Sequence, residues 1–246
     1  MIFFTRTLIV LFVSIFRLFS MTGEQILEAM DKNRDYKTLT FSATMQIQSG
    51  KRVRIKNMVV KGIINGNRSI VKFTNPEDRG TKFMMTDNSL WIYFPEEDET
   101  IKISGHMLKK GMMGSDLSYE DALKSDKLKE KYEITLSGEE NFKGNDCYLI
   151  ALEAKVKDVP YYKRKMWVEK KSFVAWKEEM YSKSGKLLKV SEVLEVKLLG
   201  LRYFPVKSQL KNVLKKDSKT LFEMSDIKID IPLSEDIFSW RYLKKW

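Results

Sequence analysis

The chain has 246 residues, 43% of them hydrophobic and 31% charged, with a formal charge of +11. A single cysteine, Cys147, excludes an internal disulfide, and with a single histidine, His106, there is no Cys/His cluster to hold a metal. Length suits one large β domain or two small ones, and one is favoured because no Pro/Gly/Ser linker divides the sequence.

Residues 1–20 stand apart. Arg6 gives a small positive start. Residues 8–16 are almost wholly apolar, yet too short to cross a bilayer of roughly 30 Å as a helix. Polar sequence begins at Thr22. This is the layout of a secretory signal, although Ser20 is the only small residue before the expected cleavage point. No cysteine follows the apolar run, so lipid attachment is not expected there. The reading is a signal over 1–20, then one domain over 21–246 released as a soluble periplasmic protein. Loss of the two arginines, Arg6 and Arg17, takes the formal charge from +11 to +9.

Thr22 and Gln25 form a capping box. Ile26, Leu27 and Met30 then share one helical face, and Asp35 marks the approximate end. The period next changes to two. Phe41, Ala43, Met45 and Ile47 alternate with Thr40, Ser42, Thr44, Gln46 and Gln48, as in a strand with one dry face. Gly50-Lys51 turns into a run over 53–64 that becomes apolar on both faces near Val59-Val60. Asn65-Gly66-Asn67 is a hairpin signal. Strands are expected at 70–74, 82–86, 90–94 and 101–103, with a long turn over 75–80, Asp87-Asn88-Ser89 and an acidic turn over 96–99 between them. Glycines 105, 111 and 114 mark a methionine-rich loop over 105–116. Ser118 caps a second helix, with Asp121 at its third position, running to about Leu128. Strands resume at 132–136, 147–154, 162–169, 173–181, 187–198, 204–214 and 221–230, and Ser234 caps a final helical turn. About eleven strands at meander spacing fit a barrel or a sandwich.

A catalytic site is missing at inventory. His106 sits in a glycine loop, no Gly-x-Ser-x-Gly elbow surrounds a serine, and no phosphate-cradling or dinucleotide motif occurs. Carboxylates such as Glu139-Glu140 sit in turns. The expectation is no enzyme, no cofactor and no metal. Basic residues are dispersed along alternating strands without a nucleic-acid-binding motif, so no nucleic-acid partner is expected. Cys147 lies in a strand-like run and reads as a buried structural thiol. The apolar supply is large: 13 methionines, with Trp91, Tyr93, Trp167 and Trp176. Unbranched methionine adapts to irregular apolar ligands, and it fills ordinary cores equally well.

The segment 79–123 carries a more specific signal. It contains Arg79-Gly80, then Leu90-Trp91-Ile92-Tyr93-Phe94-Pro95, then Ile103-Ser104-Gly105-His106-Met107-Leu108. It closes with Met112-Met113-Gly114-Ser115-Asp116-Leu117-Ser118-Tyr119-Glu120-Asp121-Ala122-Leu123. Tyr203-Phe204-Pro205, Ser225-Asp226-Ile227 and the ending Ile231-Pro232…Ile237-Phe238…Arg241-Tyr242-Leu243 follow in order. From about Thr22 onward the chain resembles the LolA-like family of outer-membrane lipoprotein-sorting proteins. The resemblance implies a mainly β protein, a single antiparallel sheet curled into a half-open barrel with helices over its concave side. It also implies a periplasmic monomer that shelters acyl chains of lipoproteins or free lipid, supplied by an inner-membrane exporter of ABC or RND type. Two related roles are an envelope-stress sensor for mislocalised lipid or protein, and an accessory partner of an RND-type exporter. The expected lining is Phe41, Met45, Ile47, Met58, Met85, Trp91, Tyr93 and Trp167. His106, Met107, Met112 and Met113 form the lid. Arg52, Arg54, Arg68 and Arg79 are the candidates for the arginine that latches it.

Overall fold

The computed structural model describes residues 21–64, 67–86, 89–123 and 128–245. The signal expected at 1–20 and the turn residues Asn65, Gly66, Asp87 and Asn88 lie outside the described residues.

Helix α1 (Gly23–Lys32) starts at the expected capping box: Thr22 Oγ1 accepts from Gln25 N–H at 3.2 Å, and Gln25 Oε1 accepts from Thr22 N–H at 2.9 Å. Six strands follow: β1 (Thr38–Ser49), β2 (Arg52–Ile63), β3 (Arg68–Phe73), β4 (Lys82–Thr86), β5 (Ser89–Phe94) and β6 (Glu99–Ile103). Short helical turns at Gly105–Lys109 and Met112–Gly114 lead to α2 (Tyr119–Leu123) and α3 (Leu128–Lys131). Ser118 caps α2 reciprocally with Asp121, at 2.9 and 3.2 Å. Seven more strands are β7 (Tyr132–Phe142), β8 (Asn145–Ala154), β9 (Lys163–Glu169), β10 (Ala175–Tyr181), β11 (Leu187–Leu199), β12 (Arg202–Asn212) and β13 (Ser218–Ile229). A helical turn at Glu235–Phe238 and α4 (Trp240–Lys244) end the chain.

All thirteen strands form one antiparallel sheet in the order β6-β5-β4-β3-β2-β1-β13-β12-β11-β10-β9-β8-β7. Each run read as a strand in the sequence, those at 82–86 and 101–103 included, is a strand here, so the figure of about eleven understated the count. The sheet does not close: β6 and β7 are its two edges. They are also successive in the chain, so residues 104–131 must travel from one edge to the other. In the described part of this connection, side chains from Met107 to Leu123 pack on the inner face. Residues 104–123 thus cover the inner face of the β1–β6 half.

Register assigns every side chain to a face, because paired residues share a side and the side alternates along each strand. Met45 pairs with Phe222, Ile47 with Arg54, Ala43 with Met58, and Met58 with Phe73. These define the inner face. Two apolar clusters occupy it. One joins Ala43, Met45, Ile47, Met58, Phe73, Phe83, Leu90 and Ile92 on β1–β5. The other joins Ile150, Leu152, Met166 and Val168 to Ile26 of α1. At Gly23 the helix meets β7 so closely that a Cβ would lie 2.9 Å from Ile134 Cγ2. Cys147 is buried as expected. Its Sγ is 3.4 Å from the Asn145 carbonyl oxygen, and burial pushes the thiol pKa up.

Candidate functional site

The inner face of β1–β6 is covered by residues 104–123. Met112 is buried in the cluster, and Met107, Leu108, Met113, Leu117, Tyr119 and Leu123 pack against it. Phe83 links the wall to this cover, 5.0 Å from Phe73 and 6.0 Å from Tyr119 between ring centroids. Of the expected lining residues, Met45 and Ile47 are buried at the centre of the wall, Met58 beside them, and Phe41 and Met85 at its margin. Of the expected lid residues, Met107, Met112 and Met113 face the wall, whereas His106 is exposed.

Three expected lining residues face the other way. Met84 pairs with Trp91 and Lys82 with Tyr93, opposite in parity to the inward pairs Phe83–Ile92 and Met85–Leu90. Trp91 and Tyr93 therefore lie on the outer face, where they pack with Met84 and Leu243. Trp91 meets Trp240 edge-on at 4.6 Å. Trp167 pairs with Leu149, opposite in parity to Met166 and Val168. It lies beneath Phe142, with the Lys177 ammonium 4.2 Å and the Lys165 ammonium 4.6 Å from its ring centre. Sequence reasoning missed the cause: α4 covers the outer face of β4–β5, so both faces are apolar and alternation carries no sign. Lys82 ties that helix down. Its Nζ, almost fully buried, donates to the carbonyl oxygens of Tyr242 (2.9 Å), Leu243 (3.2 Å) and Lys245. Burial and then Lys72 lower its pKa.

The cover is held unevenly. Residues 104–114 touch the wall mainly through apolar side chains. Gly105, Met113 and Gly114 all have positive φ, and Gly111 allows a tight turn in which any Cβ would come 2.0 Å from the Ser115 carbonyl oxygen. Of the candidate arginines, Arg54 reaches this stretch, its Nη2 lying 3.4 Å from the Gly114 carbonyl oxygen. Arg68 instead pairs with Glu235 beyond β13.

From Ser115 onward the attachment changes character. Asp116 is 2% exposed; Ser218 Oγ donates to its Oδ1 at 2.6 Å, Thr220 Oγ1 to its Oδ2 at 3.3 Å, and its own N–H donates to Thr220 Oγ1 at 2.9 Å. Asp121 accepts from Lys189 Nζ of β11 at 2.5 Å and from Tyr161 Oη at 2.7 Å. Burial raises the Asp121 pKa, but Lys189, Ser118 and Tyr161 outweigh it, so the carboxyl titrates below its ordinary 3.8. Burial and then Asp121 push the Tyr161 phenol up. Beside them Arg164 pairs with Glu178 at 2.5 Å and lies over the rings of Tyr132 and Tyr161. The inner face is thus two apolar fields separated by a polar belt on β9–β13. Neither aspartate was singled out as a site residue from the sequence; the signal was Asp116 as the single acid among residues 104–119.

The charged groups of the belt are paired in salt bridges, with no nucleophile set against a histidine base. Among the described residues no group of three or more His, Cys, Asp and Glu side chains could hold a metal ion, and no helix is long and apolar enough to cross a membrane. Two grooves of about 600 Å³ each lie on the outer side, one along Glu133, Thr135, Lys163 and Lys165, the other along Lys72, Arg79, Tyr93 and Lys245.

Comparison with known proteins agrees with this architecture. A family model described as an uncharacterized protein matches residues 65–245. The crystal structure of a DUF1329 family protein from Desulfovibrio piger is 26% identical, with a TM-score of 0.83 over 90% of this chain and 97% of that one. A putative outer membrane lipoprotein-sorting protein domain from Vibrio parahaemolyticus is 22% identical, with a TM-score of 0.81 over 91% and 98%. A LolA superfamily protein from Nitrosomonas europaea is 24% identical, with a TM-score of 0.74 over 91% and 100%. No curated protein matches the sequence.

Proposed function

The chain belongs to the uncharacterized family matched over residues 65–245 and has a LolA-like fold, and on that footing we propose that it is a periplasmic carrier for the acyl chains of lipoproteins or free lipid. The observation that carries this reading is the cover. Residues 104–114 fill an apolar wall with Met107, Leu108, Met112 and Met113, and polar anchors hold the stretch at its far end. Acyl methylenes, worth about 0.8 kcal/mol each on burial, can take the place of those side chains against the same wall. The exchange exposes little net apolar surface, so opening is cheap only when cargo is present. Transfer of this kind needs no catalysis. Arg54 serves as the latch on the Gly114 carbonyl. In this reading residues 1–20 direct export and 21–246 act as one carrier domain, receiving cargo from an inner-membrane exporter.

The test is displacement of an environment-sensitive apolar dye by a triacylated lipopeptide or a diacyl phospholipid, with hydrogen exchange followed along the chain. Exchange should rise in 105–114 on loading, while 116–121 stays protected. Displacement without any change in 105–114 would place the lipid elsewhere and refute the assignment.

A further inference from the structure

One rim of the sheet combines concentrated positive charge with exposed aliphatic side chains. Antiparallel register brings three turns side by side: β1–β2, β12–β13 and β10–β11. Ser49 pairs with Ser218, Gly50 N–H donates to the Asp217 carbonyl oxygen at 3.0 Å, and Val213 N–H donates to the Leu188 carbonyl oxygen at 2.9 Å. Across residues 49–55, 182–188 and 211–219 the cations are Lys51, Arg52, Arg54, Lys183, Lys186, Lys211, Lys215, Lys216 and Lys219, and the only acid is Asp217. Four aliphatic side chains stand exposed among them: Val53 at 49%, Ile55 at 54%, Val213 at 49% and Leu214 at 55%. The turns that present them are ordered. Leu214 N–H donates to Asn212 Oδ1 at 3.0 Å, and Lys215 N–H to the Asn212 carbonyl oxygen at 3.1 Å.

We propose that this rim docks the protein on a lipid bilayer whose surface carries anionic phosphate headgroups, with Val213, Leu214, Val53 and Ile55 entering the interface and the surrounding lysines pairing with phosphates. Charge complementarity chooses the partner class. The interleaved aliphatic side chains choose a bilayer over a nucleic acid or an acidic protein, which cations alone would satisfy. The rim also carries part of the lid attachment. Arg54 reaches Gly114, and Lys215 Nζ lies 3.7 Å from buried Asp116 Oδ1. Phosphates compete for both cations, so docking loosens the cover at the surface where cargo enters or leaves. This last step rests on the carrier reading; docking itself does not.

The experiment is co-sedimentation of the cargo-free chain with vesicles of phosphatidylcholine alone or mixed with phosphatidylglycerol. Binding should require phosphatidylglycerol and weaken with added salt. Lys51→Glu/Lys215→Glu/Lys216→Glu should weaken it by about a hundredfold or more, and Val213→Ser/Leu214→Ser, with charge unchanged, by about tenfold. These side chains are exposed, and unchanged thermal melts verify folding; Lys51→Gln/Lys216→Gln is the milder charge variant. Equal binding to both vesicle types, or a Val213→Ser/Leu214→Ser protein that binds like the parent, would overturn the proposal. So would displacement by a DNA oligonucleotide that is indifferent to that double variant. Dye displacement in vesicle-free solution reports the carrier reading separately.

Discussion

The two halves of the inner face are built from the same alternating pattern and end in different states. In the β7–β9 half, the wall is closed by α1, a regular helix with a capping box, Ile26 at its centre and Gly23 pressed onto β7. In the β1–β6 half, the wall is closed by an irregular stretch whose contacts are methionine and leucine side chains and one long arginine contact. A helix carries its own backbone hydrogen bonds and leaves as a unit. An irregular strap with positive-φ joints can peel from one end. On the carrier reading proposed above, the half that looks less orderly is therefore the one that would exchange its filling.

Substitutions in the two walls put the difference to the largest test. Phe83→Ala removes a fully buried ring in the exchangeable half, and Ile150→Ala removes a fully buried side chain in the fixed half. Urea unfolding should show losses of about 3–5 and about 2–5 kcal/mol respectively. Lipid displacement, measured where both proteins remain folded, should fall only for Phe83→Ala. Equal losses of binding would mean that cargo uses both fields and that the distinction is wrong.

The polar belt comes next. Asp121→Ala strips the partner from Lys189, whose side chain is only 10% exposed, and should cost about 3 kcal/mol. The sign of the pH dependence follows from the lowered carboxyl pKa. The stability that Asp121 supplies is fully present above about pH 4 and drains away as pH falls through its folded-state value. Thermal melts from neutral to acid pH should show a decline that is shallower in Asp121→Asn. The same slope in both proteins would remove Asp121 from the anchor.

How far the sequence revealed this arrangement varied with what covers each strand. In β1, with polar residues outside, alternation identified Phe41, Ala43, Met45 and Ile47 as the wall, and the structure puts them there. In β5 both sides are apolar, because the cover lies inside and α4 outside, so Leu90 to Phe94 has no readable parity and Trp91 and Tyr93 fall on the side opposite to expectation. Trp167 is misplaced for a related reason: Met166, Trp167 and Val168 are apolar in succession, and Phe142 with the ammonium groups of Lys165 and Lys177 covers the outward ring. That a methionine-rich stretch packs on the wall was legible from its glycines and methionines. Its anchors were not, because Asp116 and Asp121 find Thr220 and Lys189 only through long-range pairing.

Two smaller effects sharpen the boundary of the exchangeable region. Gly111→Ala forces a Cβ against the Ser115 carbonyl oxygen and should displace the strap at a cost of about 1–3 kcal/mol, read as faster hydrogen exchange in 105–114. Trp91→Ala removes outer-face contacts, with Trp240, the Met84–Leu243 cluster and the Lys102 ammonium, and should cost about 1–2 kcal/mol. It should leave lipid displacement as it was. A loss of binding in that variant would return the cavity to the outer face.

The smallest expected effect is the most informative about gating. At 3.4 Å the Arg54 contact with the Gly114 carbonyl is long and exposed to solvent, so its loss in Arg54→Ala should barely move the melting temperature. Stability, however, is a property of the whole sheet, whereas opening of the strap is a local equilibrium set by a few weak contacts. Removing one of them should speed exchange at 105–114 by a few-fold and speed dye entry in step, while 116–121 is unaffected. His106→Ala, on the same strap but exposed, is the matched control and should change neither rate. If Arg54→Ala exchanges and loads like the His106→Ala protein, Arg54 is not the latch and the apolar contacts of Met107, Met112 and Met113 alone set the opening equilibrium.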